Sequence, residues 1–483
     1  MSHKRTISRR KFLGEASCAA IGATTLFSTL FNLKSLNAAA SFNSSIMRGT
    51  PEDYRALVCI QFSGGIDSFN MLVPNDNVFY NQYANTRSNM ALNRNALLNI
   101  NPKIPDRDGR TFGLHPSLVH MQQLFDNEKL AFVSNVGTLI RPMNKIQYYD
   151  NSVPAPLGLY SHSDQQQQWQ TGLPHERSSI GWGGKMADLM ISANPNNTIS
   201  MNISLAGSNV FQSGENTVEY SLHPEYGSEG IYGYNSEDWL FHNLQTAAIN
   251  GMVNPVYKNV FKNTYRKTIK TAIEGSELFA TAIENAPVFN VPFEGDHYFT
   301  QSMQMVAKTI SGRNTLNVKR QIFFVEFGGW DMHDELLNNQ EELLSILDSA
   351  LHSFYSALEQ MGVANQVTTF TLSEFSRTLT SNGNGTDHAW GANVFVMGGD
   401  VNGKNIYGQY PSLALTNNNF NNDTNPQEVG GGVLIPTIST DEYFAELALW
   451  YGLPSSDLAL IFPNIGHFYT PMSGQMPIGF LNL

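Results

Sequence analysis

The chain has 483 residues, 41% of them hydrophobic and 14% charged, a globular composition that excludes a disordered chain and leaves apolar material for a large core. Its 29 basic and 41 acidic residues give a formal charge of −12, and six of those bases with one acid, Glu15, lie in the first 40 residues, so the remainder stands near −17. An acidic body repels phosphate backbones and argues against nucleic acid as a partner.

At the N-terminus, Ser8-Arg9-Arg10-Lys11-Phe12-Leu13 has the twin-arginine signal pattern. The apolar stretch that follows, from about Ala19 to Phe31, is too short and too polar for a membrane anchor. Ala38-Ala39-Ala40 offers a small-residue cleavage site. Residues 1–40 are therefore expected to be a twin-arginine signal peptide and residues 41–53 a linker. The expected partner is the twin-arginine export machinery, the location periplasmic or secreted, with no stable membrane span after cleavage. That route carries folded proteins, often loaded with a cofactor. Of the two cysteines, Cys18 lies in the leader, so the mature chain keeps Cys59 alone and forms no internal disulfide. Cys59 sits in an apolar run and reads as a small buried hydrophobe.

Arg55 to Phe62 (RALVCIQF) predicts a buried parallel strand, closed by Gly64-Gly65. Leu118 to Phe125 predicts a short helix, and His115, before Pro116, its entry residue. Leu130 to Val136 predicts a strand, Gly183 to Met190 a helix, and Thr198 to Leu205 another strand. The stretch 206–295 departs from this alternation, with polar loops and a long helix from about Pro255 to Ala286; it is expected to be an insertion or cap. Gly295 to Ser311 predicts a helix and Gln321 to Phe327 a strong strand. Glu335 to Met361 is helical, its Leu343, Ile346, Leu347, Ala350, Leu351, Phe354, Leu358 and Met361 forming one apolar face that ends at Gly362. Val367 to Leu372 and Asn393 to Met397 predict two further strands. Ser439 with Glu442 makes a capping box for a last helix running to Tyr451. Alternating strands and helices imply an α/β fold, a mostly parallel central sheet with helices on both faces, filling one domain over 54–483.

Ligands of such sheets sit at the carboxyl ends of the strands. Asp67 follows the first strand, Asp331 and His333 follow QIFFVEF, Glu374 follows VTTFTL, and Asp387-His388 shortly precedes NVFVM. Four loops can thus converge at one edge. Carboxylates and imidazoles without cysteine suit zinc, magnesium, manganese or calcium, and two such ions can clamp the oxygens of phosphoryl or sulfuryl transfer. Blander roles stand beside these: Asp67 as a helix cap, Glu374 as a local partner of Arg377, and Asp387-His388 as a solvated turn.

The segments GGIDSFNMLVP (64–74), FGLHPSL (112–118), SHSDQQQQWQTG (161–172), GGWDMH (328–333), SEFSRT (373–378), NGNGTDHAWG (382–391) and FPNIGHF (462–468) together resemble the bacterial family called domain of unknown function 1501. Departures are Ser68-Phe69 for Gly-Leu, and Ser376 and Ala389 for glycines. That family is similar to the alkaline phosphatase and sulfatase superfamily, which implies an alkaline-phosphatase-like fold with one or two divalent metals at the strand ends. By that resemblance Asp67 matches the first metal-binding aspartate, Asp331 and His333 a later aspartate and histidine, and His388 the final histidine. Glu374 stands where an Asp-His pair usually falls. The nucleophile's turn corresponds to Ser161-His162-Ser163-Asp164: Ser161 or Ser163 takes the role, or His162 acts as nucleophile or ligand, or catalysis is lost. A plain helix start capped by Ser163 or Asp164 is the simpler alternative.

Two functions follow as expectations. One is an exported metal-dependent hydrolase of phosphate or sulfate esters, its substrate a small molecule or a cell-envelope component. The other is a non-catalytic periplasmic binding or assembly protein on a degenerate phosphatase-like fold.

Overall fold

Arg55–Phe62 (β1) is buried along nearly its whole length, as a run with no polar face requires. The computed structural model describes residues 53–228, 230–231, 234–235, 241–419 and 422–482. The expected signal peptide and all of the expected linker but Asp53 lie outside the described residues.

Around β1, the large sheet takes β2 (Leu130–Gly137), β3 (Asn202–Ser204), β4 (Tyr220–Ser221), β5 (Arg320–Phe327), β6 (Val367–Ser373), β7 (Ala392–Gly398), β8 (Ile406–Tyr407) and β9 (Ile438–Ser439). Among the described residues their order is β8-β2-β7-β6-β1-β5-β3-β4, with β9 also pairing β2. β1 runs parallel to both β5 and β6. β7 is the exception, antiparallel to β6 and to β2. The fold is thus the expected α/β class, as a mixed and mostly parallel sheet. A second sheet of three short strands pairs Leu72–Pro74 and Leu98–Ile100 with Phe112–Leu114.

Side chains alternate across β1 and divide the core. Val58, Ile60 and Phe62 pack on one face with α7 (Tyr298–Ser311) and α8 (Leu336–Gln360), through Val306, Ile310, Leu347, Leu351 and Phe354. Leu57 and Cys59 enter the other, with Trp182 and Met186 of α4 (Trp182–Leu189) and Phe444 and Leu447 of α9 (Thr440–Tyr451). Helices therefore cover both faces. The expected capping box holds: Ser439 accepts from the Glu442 N–H, the Glu442 carboxylate answers at the Ser439 N–H, and Gly452 ends α9 in the left-handed region. Cys59 is buried, where the apolar surroundings push its thiol up.

Within 206–295 the structure differs from a pure cap. Tyr220–Ser221 pairs with Ile203–Ser204 and extends the sheet by an edge strand. A helix, α5 (His242–Val253), precedes the long one, α6 (Val260–Glu284), which starts five residues later than Pro255 because Asn259 caps it by accepting from the Lys262 N–H.

Candidate functional site

Strand direction decides which residues meet. β1, β5 and β6 run in register, Phe62 beside both Phe327 and Ser373, so the loops that follow them leave at one edge. β7 runs the other way, and the residues that precede it arrive at that same edge. Beyond the strands the β6–β7 loop stays paired: the Ser376 N–H donates to the Trp390 carbonyl, the Ala389 N–H to Ser376, and the Thr378 N–H to Asp387. Arg377 thereby stands across from His388. Gly64, at φ +115°, lets the loop after β5 close in; a Cβ there would overlap the Asp331 backbone nitrogen, a position only glycine accepts at no cost.

The structure brings His162, Asp331 and His388 together: one ligand atom from each lies within 4.8 Å of the others. His162 opens α3 (His162–Thr171) and sets Nε2 at 3.6 Å from Asp331 Oδ2. His388 Nε2 is 3.4 Å from Asp331 Oδ1. His333 joins from the side, its Nε2 at 3.1 Å from Asp331 Oδ1 and 3.0 Å from His388 Nε2.

The outer nitrogen of each imidazole meets an acceptor. His162 Nδ1 lies 2.5 Å from Glu374 Oε2, His388 Nδ1 2.9 Å from the Tyr160 carbonyl oxygen, and His333 Nδ1 3.1 Å from Asp387 Oδ1. A carbonyl only accepts, so His388 carries its proton on Nδ1 and presents a bare Nε2 to the cluster. The carboxylates favour the same tautomer at the other two rings. Three Nε2 atoms then face Asp331, the arrangement in which histidines are oriented for a metal. The donor set, imidazoles and one carboxylate without thiolate, fits a zinc-like or manganese-like divalent ion.

Electrostatics sort the carboxylates. Burial pushes Glu374 up, against the lowering pull of its bonds to His162 and to the Gly64 N–H, 3.1 Å away. Asp331 is also opposed by burial, but the Arg377 hydrogen bond and charge, with His162 and His333, bring its carboxyl below the usual range. Asp387 is lowered by the Asn382 amide first and by His333 after it. His388 is lowered, chiefly by burial and then by the charges of Arg377 and His162; its ring stacks on Phe375 at 4.5 Å.

Several expectations change. Glu374 does not pair with Arg377. The fully buried Arg377 guanidinium instead bonds Asp331 Oδ1 and the carbonyls of Gly64, Gly65 and Thr386. Asp67 turns inward, where it forms an ion pair with Arg87; it occupies the cap position of the short helix Ser68–Met71 without making a side-chain cap bond. Asp387 supports His333 rather than facing His162. Ser161 Oγ meets Ser163 Oγ at 3.3 Å. Ser161 takes the cap position of α3, again without a side-chain cap bond, and Asp164 binds Arg177. His115 is buried and accepts from the Ser117 N–H, with burial lowering it to about 4, as a turn-forming residue should. Arg377 was missed as a site residue, although SEFSRT carries it five residues past the last predicted strand residue.

These features define an α/β protein with a histidine–carboxylate cluster at the strand ends. Residues 260–453 match the family model described as "Protein of unknown function (DUF1501)", which bears out the resemblance read from the motifs. No curated protein matches the chain. Similar solved structures include the lipoteichoic acid synthase LtaP from Listeria monocytogenes, at 8% identity over 75% of this chain and 71% of that one, TM-score 0.28. Another is BT1596, a 2-O GAG sulfatase, at 8% identity over 73% and 66%, TM-score 0.26. A third is the alkaline phosphatase from the Antarctic bacterium TAB5, at 9% identity over 72% and 93%, TM-score 0.26. Likenesses this weak carry nothing about substrate, which rests on the residues themselves.

Proposed function

We propose that the chain is an exported, metal-dependent hydrolase of phosphate or sulfate esters, its site formed by His162, Asp331 and His388 with His333 beside them. One observation carries this reading: three imidazoles turn their Nε2 atoms toward one carboxylate while an acceptor engages each Nδ1. A divalent ion held there would supply Lewis acidity at an ester oxygen. Arg377 keeps Asp331 ionised and fixes its Oδ1, leaving Oδ2 on the His162 side. Glu374, held by the Gly64 N–H, orients His162. With Nε2 on the ion His162 is a ligand; with Nε2 free it has the carboxylate support that a base or nucleophile requires, and Ser161 and Ser163 lie beside it on the same turn.

Elemental mass spectrometry on the mature protein isolated from its host tests the metal, beside an Asp331→Ala/His388→Ala variant. Stoichiometric metal in the first and none in the second is expected. Aryl phosphates, phosphodiesters and aryl sulfates test the reaction, and a metal-loaded protein inert on all three would sink the hydrolase reading. A non-catalytic binding or assembly protein is the second reading. It is favoured by the serine pair, whose hydroxyls face each other, with Ser161 also bonded to Asp164, a carboxylate already held by Arg177.

A further inference from the structure

Between His242 and Ile273 the sequence holds no acid, although the rest of the chain beyond residue 40 is strongly acidic, and Lys258, Lys262, Arg266, Lys267 and Lys270 fall within it. Among the described residues Lys270 alone of them faces a carboxylate, that of Glu274 at 3.7 Å. The same stretch carries large apolar side chains in water: Val256 is 79% exposed, Phe261 77% and Tyr265 67%, with Leu244 and Val260 also open. Single exposed apolar residues mean little, but a cluster marks a contact surface. Here α5 and α6 bury a small core of their own, Ile249, Val253 and Ile273. Between them opens an apolar recess of about 400 Å³, where Ile249, Met252, Tyr257 and Ile269 lie against Lys262 and Arg266.

We infer that the α5–α6 hairpin docks the protein on an anionic phospholipid surface. Aromatic and aliphatic side chains beside lysines at the start of a helix are what an interfacial helix presents, apolar groups entering the acyl boundary and cations meeting lipid phosphates. The recess adds a place for an acyl stem with its phosphate between Lys262 and Arg266. Charge complementarity selects the partner, since the acidic remainder of the chain is repelled by that same surface. No described helix is long and apolar enough to cross a membrane, so the hairpin lies on the surface. The inference is independent of the metal reading.

Flotation of the mature full-length protein with phosphatidylcholine vesicles, and with vesicles also containing phosphatidylglycerol, tests it. The protein floats with the anionic vesicles alone, and added salt weakens binding. Lys262→Glu with Lys267→Glu lowers partitioning about tenfold or more. Phe261→Ser with Tyr265→Ser also releases the protein. All four side chains are exposed, so circular dichroism and thermal unfolding stay as in the parent. Equal flotation with neutral vesicles, no flotation with either, or binding unaffected by both variants overturns the inference. So does sedimentation of the parent as a dimer that Phe261→Ser/Tyr265→Ser dissolves, which assigns the face to a second copy of the chain.

Discussion

Two neighbouring loops are built to one pattern and end in different chemistry. Gly64-Gly65-Ile66-Asp67 follows β1, Gly328-Gly329-Trp330-Asp331 follows β5, and the two strands pair in register. Each aspartate finds an arginine: Asp67 meets Arg87, Asp331 meets Arg377. The Asp67 side chain is 1% exposed, that of Asp331 47%. Ser63 lengthens the first loop by one residue, and its N–H and carbonyl tie it to Phe327 and Trp330. Asp67 is carried inward and Asp331 to the mouth. A glycine-glycine-x-aspartate motif therefore specifies a turn at a strand end, while the packing around the carboxylate decides whether it is sealed in the interior or open at the cluster.

The largest effect should come from breaking the dry pair. Asp67→Ala leaves Arg87 charged and buried, and urea unfolding should show a loss of about 3–5 kcal/mol, with metal per folded molecule unchanged. Metal lost at full stability would instead return Asp67 to the ligand set. Glu374→Gln keeps an acceptor near His162 but removes the charge that orients it. Competition with a chelator should show metal affinity down about 10–100-fold, and unchanged affinity would detach Glu374 from the site. Asp331→Asn should abolish metal binding yet cost less in unfolding than Asp67→Ala, because the amide oxygen still accepts from buried Arg377 and the Asp331 side chain is half in water; a loss as large as that of Asp67→Ala would make the two loops alike after all. Smallest is Ser161→Ala. Its hydroxyl makes no cap bond to α3, so the change should cost less than the usual ~1 kcal/mol of a lost cap. Hydrolysis, where present, separates the roles: it persists if His162 does the chemistry and falls to background if Ser161 does.

Periodicity exposed the long elements and hid the short ones. RALVCIQF and the apolar face of α8 have nothing else to become, and their limits match to within a residue or two. Thr198 to Leu205 shrinks to Asn202–Ser204 because the backbone ahead of it bonds to local side chains, the Thr198 N–H to Asn196 Oδ1 and the Asn202 N–H to the Ser200 hydroxyl. The two-residue strands β4, β8 and β9 are too short to show a pattern. At the site, the loops after β5 and β6 and before β7 were legible as polar residues beside strong strands. The partners of those residues were not. Arg377 was read toward its sequence neighbour Glu374, but only the pairing of the β6–β7 loop turns it toward Asp331. The carbonyl that fixes His388 belongs to Tyr160, a backbone atom that every residue has and no side-chain pattern reveals.

The antiparallel course of β7 has a consequence for how such a site is acquired. Glu374, Arg377, Asp387 and His388 all arrive on one hairpin, whose arms stay laced together past the ends of β6 and β7. Closing that short loop costs little chain entropy, and His162, 212 residues from Glu374, has only to meet an edge already in place. The hairpin can be thought of as a cassette: exchanging the single segment from Ser373 to Gly391 would rewrite most of the cluster's charges while leaving every other strand of the sheet where it is.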